Sequence, residues 1–81
     1  MDYDHDKVDE MVLALLCLTM WDEDEAGARA WKSHDWAAMD RLHAKGYISD
    51  PKNKAKSVVL SPEGVKLARE LFEKTFAVNK R

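Results

Sequence analysis

Eighty-one residues, 46% of them hydrophobic and 35% charged, suffice for one small domain over 1–81 with little core to spare. The formal net charge is −2, but residues 1–30 carry nine acids against two bases, which argues against nonspecific polyanion binding by the whole molecule. Cys17 is the one cysteine, so there is neither a disulfide framework nor a thiol metal site. The longest uninterrupted apolar run, Met11 to Leu18, is eight residues against the roughly 20 that a membrane span needs. Asp2, Asp4 and Asp6 make the start unlike a secretory signal. The expectation is a bacterial-type cytoplasmic protein without membrane attachment.

A first helix is predicted over 5–20, with Asp4 or Asp6 as N-cap and further acids in its first turn. Its later turns, Met11-Val-Leu-Ala-Leu-Leu-Cys-Leu18, are apolar on every side. Either this helix is unusually central, or one face is covered by a second copy, and Met11, Leu15 and Leu18 are then the interface candidates. Residues 21–30 follow as an acidic connection. Trp21 and Trp31 flank it and are either core residues or the walls of a small-ligand pocket; Arg29-Ala-Trp-Lys32 suits a short strand or a helical turn.

A second helix is expected over 33–45, starting at Ser33 or His34. Its wheel places Trp36, Met39, Leu42 and His43 on an inner side, and His34, Ala38, Arg41 and Lys45 on the other. Gly46 after Lys45 is a C-cap signal. A hairpin is predicted over 47–60: Tyr47-Ile48-Ser49 as one strand, Asp50-Pro51-Lys52-Asn53 as a type I turn, and Ser57-Val-Val-Leu60 as the return. In an extended backbone Lys52, Lys54 and Lys56 project to one side. Ser61, Pro62 and Glu63 then cap and open a third helix over 62–77. Leu67, Ala68, Leu71, Phe72 and Phe76 form its apolar stripe, wide enough for Leu71 and Phe72 to join the dimer surface.

The chemistry of a reaction is missing. There is no phosphate-binding glycine loop, nucleophile elbow or paired-cysteine zinc site, and His5, His34 and His43 share no ligand spacing. His43 is expected to be a hydrogen-bonded core residue. No enzyme, metal or cofactor is expected.

Met39-Asp-Arg-Leu-His-Ala-Lys-Gly-Tyr-Ile48, then a polar turn, then Ser57-Val-Val-Leu-Ser-Pro-Glu-Gly64, resembles the core of winged-helix regulators of the MarR type over residues 36–76. That resemblance implies an α+β winged-helix-like domain of three helices and a hairpin wing, acting as a DNA-binding homodimer. Carried over by position, His34, Ala38, Arg41 and Lys45 would face DNA, with Lys52, Lys54 and Lys56 on the wing. The whole chain also resembles a family of short bacterial proteins classed only as a domain of unknown function. The motifs for that are Lys7-Val-Asp-Glu-Met-Val-Leu-Ala-Leu-Leu16, Arg29-Ala-Trp-Lys32, Asp35-Trp36 and Asp40-Arg-Leu-His43. The expected function is a DNA-binding or regulatory module; the alternative is a homodimeric protein-interaction module on the same fold.

Overall fold

The computed structural model describes residues 1–32 and 35–78. The elements run α1 (His5–Leu18), β1 (Trp21–Asp24), β2 (Gly27–Trp31), α2 (Trp36–Ala44), β3 (Ser57–Leu60) and α3 (Pro62–Phe76). This is an α+β architecture: three helices and a three-stranded antiparallel sheet of order β1-β2-β3. The expected start of the second helix at Ser33 or His34 lies outside the described residues.

Local chemistry sets most boundaries. Asp4 caps α1 by accepting from the backbone N–H of Lys7 at 3.1 Å, and Asp35 caps α2 by accepting from Ala38 N–H at 3.0 Å. The far end of α2 closes in a Schellman arrangement. Gly46, at φ +84°, donates to His43 C=O, and Tyr47 N–H donates to Leu42 C=O, both at 3.0 Å. Ser61 Oγ accepts from Gly64 N–H at 3.0 Å and donates to Gly46 C=O at 2.8 Å, so one hydroxyl ties the start of α3 to the end of α2.

The acidic connection over 21–30 is corrected. It is a hairpin: Trp21–Asp24 turns through Glu25-Ala26 and returns as Gly27–Trp31. The turn is built by Asp24, whose carboxylate accepts from Ala26 N–H at 2.8 Å, and by Gly27 at φ +133°. Three acids with poor strand propensity follow Trp21 into a strand because β2 supplies their partners. The ladder is irregular, with Trp21 opposite Arg29, Asp24 opposite Gly27, and Asp22 at φ +55° between them. Charged, short and bulged, β1 suits an edge strand.

The expected wing is also reduced. The partner of β3 is β2, in register Ala28↔Leu60 to Trp31↔Ser57. Tyr47–Ser49 lies along the other edge of β3 through the bridge Ile48↔Leu60 and two backbone bonds, Ser49 N–H to Val59 C=O at 2.8 Å and Ser61 N–H to Tyr47 C=O at 3.0 Å. Residues 51–56 are turns and bends, so Lys52, Lys54 and Lys56 do not alternate on an extended strand.

The core joins Val12, Leu13 and Leu16 of α1, Ala28 and Ala30 of β2, Met39 and Leu42 of α2, Ile48, Val58 and Leu60, and Val65, Ala68 and Leu71 of α3. Alternation along the strands leaves Arg29, Trp31, Val59 and, opposite Arg29, Trp21 on the outer face of the sheet. Gly64 permits α3 to meet the Tyr47 backbone, since a Cβ there would collide with the Tyr47 carbonyl. G64A should therefore cost about 1–3 kcal/mol by overpacking, although Ala ordinarily favours a helix over Gly by about 0.5–1 kcal/mol. Gly46 faces open space, and G46A should lose only about 1 kcal/mol, the cost of a left-handed residue. Denaturant unfolding of the two variants checks the order.

Candidate functional site

Asp9 is the one charged residue buried in the core among the described residues, 1% exposed. It sits on the same helical stripe as Val12, Leu13 and Leu16, so the fold of α1 turns its carboxylate inward with them. Two cations of the α2 segment meet it there. Arg41 Nε donates to both carboxylate oxygens at 2.9 Å, with Nη2 2.8 Å from Oδ1, and Lys45 Nζ donates to Oδ2 at 3.2 Å. Lys45 also reaches Asp6 at 3.4 Å. Burial pushes the Asp9 carboxyl up, but the hydrogen bonds and charges of Arg41 and Lys45 outweigh it and hold its pKa below the ordinary aspartate value. Burial pulls Lys45 down, its bonds to Asp9 and Asp6 outweigh that, and the result lies above an ordinary lysine. The hydrogen bond to Asp9 raises Arg41 as well.

This pairing revises the reading of α2. Ala38 is 0% exposed, inside the core with Met39 and Leu42. Arg41 and Lys45 point at α1, and Trp36 is 59% exposed. The helix is rotated about its axis from the expected placement, because Asp9 draws the cationic side toward α1. His43 is exposed too, and its Nδ1–H donates to Ile48 C=O at 3.0 Å. Of the seven residues placed at a nucleic-acid surface, Lys52, Lys54 and Lys56 are exposed together on the loop before β3, and His34 lies outside the described residues. Lys52 Nζ is 3.8 Å from Asp40. The sequence reading missed Asp9; the signal that marks it is an acid on the same stripe as Val12, Leu13 and Leu16, which requires a cation from elsewhere.

Three surface features remain. On the outer sheet face Trp21 and Trp31 stack, centroids 4.7 Å apart and tilted by 32°, with Trp31 50% exposed. A hollow of about 160 Å³ lies beside them, lined by Asp22, Asp24, Arg29 and Val59 among others. On α1, Met11 and Leu15 are half-buried and Leu18 is 67% exposed; of their expected companions, Leu71 is in the core and Phe72 is half-buried, its ring 5.2 Å from Phe76. Lastly, an open groove of about 340 Å³ separates the start of α2 from the loop at 51–53.

The family described as Domain of unknown function (DUF6429) matches residues 4–78. This chain belongs to that family. The Uncharacterized protein y4hR of Sinorhizobium fredii is 51% identical to it over 76 residues, 94% of this chain and 97% of that protein. No solved structure matches significantly, so the MarR resemblance gains no structural neighbour.

In this DUF6429 chain, no group of three His, Cys, Asp or Glu among the described residues could hold a metal ion. No helix among them is long and apolar enough to cross a membrane. Burial, the largest influence on Cys17, raises its thiol pKa and leaves it a poor nucleophile. The Asp9 cluster is thus an internal tie between α1 and α2. A carboxyl whose folded pKa is depressed contributes stability that is present above its unfolded pKa and lost as pH falls through the folded one. Stability should accordingly be level from neutrality down to about pH 5 and drop through about pH 4 and below. D9N should be less stable at neutral pH and show a shallower acid drop, both read by denaturant unfolding across pH.

Proposed function

We propose that this protein is a non-enzymatic interaction module whose contact surface is the outer face of the sheet. The observation that carries this reading is the exposed Trp21–Trp31 pair beside Arg29. Tryptophan and arginine are the residue types that most often anchor protein interfaces, and an exposed indole pair has no role in this core. The charge around it selects the partner. Asp22 and Asp24 line the adjoining hollow, and Glu23 and Glu25 complete an acidic edge. A basic segment of a partner protein fits: one lysine or arginine seated against Asp22 and Asp24, with its neighbours over the indole faces. Glu23 is already paired with Arg69, which leaves the other three acids for the partner.

A duplex-binding role has less support, because Arg41 and Lys45 are engaged by Asp9 and only the loop lysines would remain for phosphate. Self-association is a second reading, favoured by the Met11, Leu15 and Leu18 stripe on the outer side of α1.

A labelled lysine- and arginine-rich peptide titrated with the protein at low salt tests the first reading. Saturable binding that an acidic control peptide lacks, and that weakens about tenfold in W31A, is the expected result. Equal binding by W31A, whose net charge is unchanged, would refute the sheet face as the surface. Sedimentation velocity from micromolar to near-millimolar protein tests the second: the self-association reading expects a dimer that L18E dissociates, and a monomer throughout overturns it.

A further inference from the structure

The groove at the start of α2 lies apart from the outer sheet face and has a chemistry of its own. It is lined by Lys32, Trp36, Asp40, Pro51, Lys52 and Asn53. By sequence pattern Trp36 belonged to the core and the loop lysines to a wing; the fold puts Trp36 and Lys52 around one opening. Its volume of about 340 Å³ falls in the roughly 300–1,000 Å³ range of small-molecule sites. Trp36 contributes an accessible indole, and the buried Pro51 completes the apolar part of the lining.

The polar groups are held in place. Lys32 Nζ donates to the Asn53 carbonyl at 2.8 Å and to its side-chain Oδ1 at 3.0 Å, and Oδ1 also accepts from Ala55 N–H at 2.9 Å. With Oδ1 engaged twice, the Nδ2–H donors of this exposed side chain are the part of the Asn53 amide left for a ligand. Asp40, on α2, offers a carboxylate acceptor to the same groove, 3.8 Å from Lys52 Nζ. Lys54 and Lys56 extend the positive charge along the same exposed loop.

We propose that this groove binds a nucleobase together with its attached phosphate. The ring stacks on Trp36, an interaction open to any base because every base has a π face. The donor of Asn53 and the acceptor of Asp40 match the mixed donor and acceptor edge of a base. A plain aromatic carboxylate would leave Asp40 facing an acceptor. Lys52 and Lys54 take the phosphate as point charges. A duplex hides its base faces, so the bound form is a free nucleotide or an unpaired strand.

Quenching of tryptophan fluorescence tests the site, with a mononucleotide, the corresponding nucleoside, inorganic phosphate and a short single-stranded oligonucleotide as probes. The mononucleotide or the oligonucleotide should saturate the signal, more tightly than the nucleoside or phosphate alone. W36A should weaken binding roughly tenfold or more with an unchanged unfolding midpoint, since the side chain is exposed. With the oligonucleotide, K52A/K54A should flatten the salt dependence by about 0.7 in log–log slope for each phosphate no longer neutralised; with the mononucleotide the pair should weaken binding toward that of the nucleoside. An oligonucleotide that binds much better than the mononucleotide identifies a strand as the ligand; equal binding identifies a free nucleotide. The proposal is overturned if neither probe saturates up to millimolar concentration, or if W36A binds as the native chain does. Because W31A leaves this groove intact, its loss of peptide binding and the W36A result separate the two surfaces.

Discussion

The side of α2 that this molecule presents to water is tied to the burial of one carboxylate. A charged group with 1% exposure must be met by opposite charge, because desolvation otherwise costs more than a small domain can offset. Asp9 is met twice, by Arg41 and Lys45, which lie 32 and 36 residues further along the chain. That requirement fixes the rotation of α2 against α1. The replacement of such a cluster by apolar residues can be neutral or stabilising in other proteins. In this fold both cations reach Asp9 in the same setting of α2 that carries Ala38, Met39 and Leu42 into the core, so the tie and the packing favour one orientation.

The rotation determines what faces water. Had Arg41 and Lys45 pointed outward, α2 would have been a basic face with Trp36 buried. Instead the cations are turned toward α1 and engaged by Asp9, and Trp36 and Asp40 come to the surface next to the loop that follows α2. The sheet makes a second division. Ala28, Ala30, Val58 and Leu60 commit one face to the core, which leaves Trp21, Arg29, Trp31 and Val59 on the other. The acidic half of the chain and the basic loop thereby end at two different aromatic surfaces, each with its own sign of charge.

Elements governed by neighbours in sequence were legible. The caps at Asp4, Gly46 and Ser61, and the proline that opens α3, are local chemistry and sit where the residue types place them. Elements governed by distant partners were not. After Trp21 the run Asp-Glu-Asp has little strand propensity, and its strand exists because β2 pairs with it and the Asp24–Gly27 turn reverses the chain. Tyr47–Ser49 has suitable residues but contributes only a bridge, since the long lysine loop frees it from a regular hairpin with β3. The helix wheel of α2 weighed Trp36 and His43 as apolar and could not register a carboxylate on another helix. For the candidate site, the lysines at 52, 54 and 56 were recognised as a group, whereas Trp31 and Trp36 were read as core or pocket walls and are largely surface.

Asp9 and Arg41 act as a unit that sets α2 against α1, and a double-mutant cycle measures this directly. D9N, R41Q and the double variant are compared in unfolding free energy at neutral pH. The double variant is predicted to lose clearly less than the sum of the two single losses, because each single change already breaks the same tie. Losses that simply add would show the two residues to be independent, and α2 would then owe its orientation to something other than the Asp9 tie.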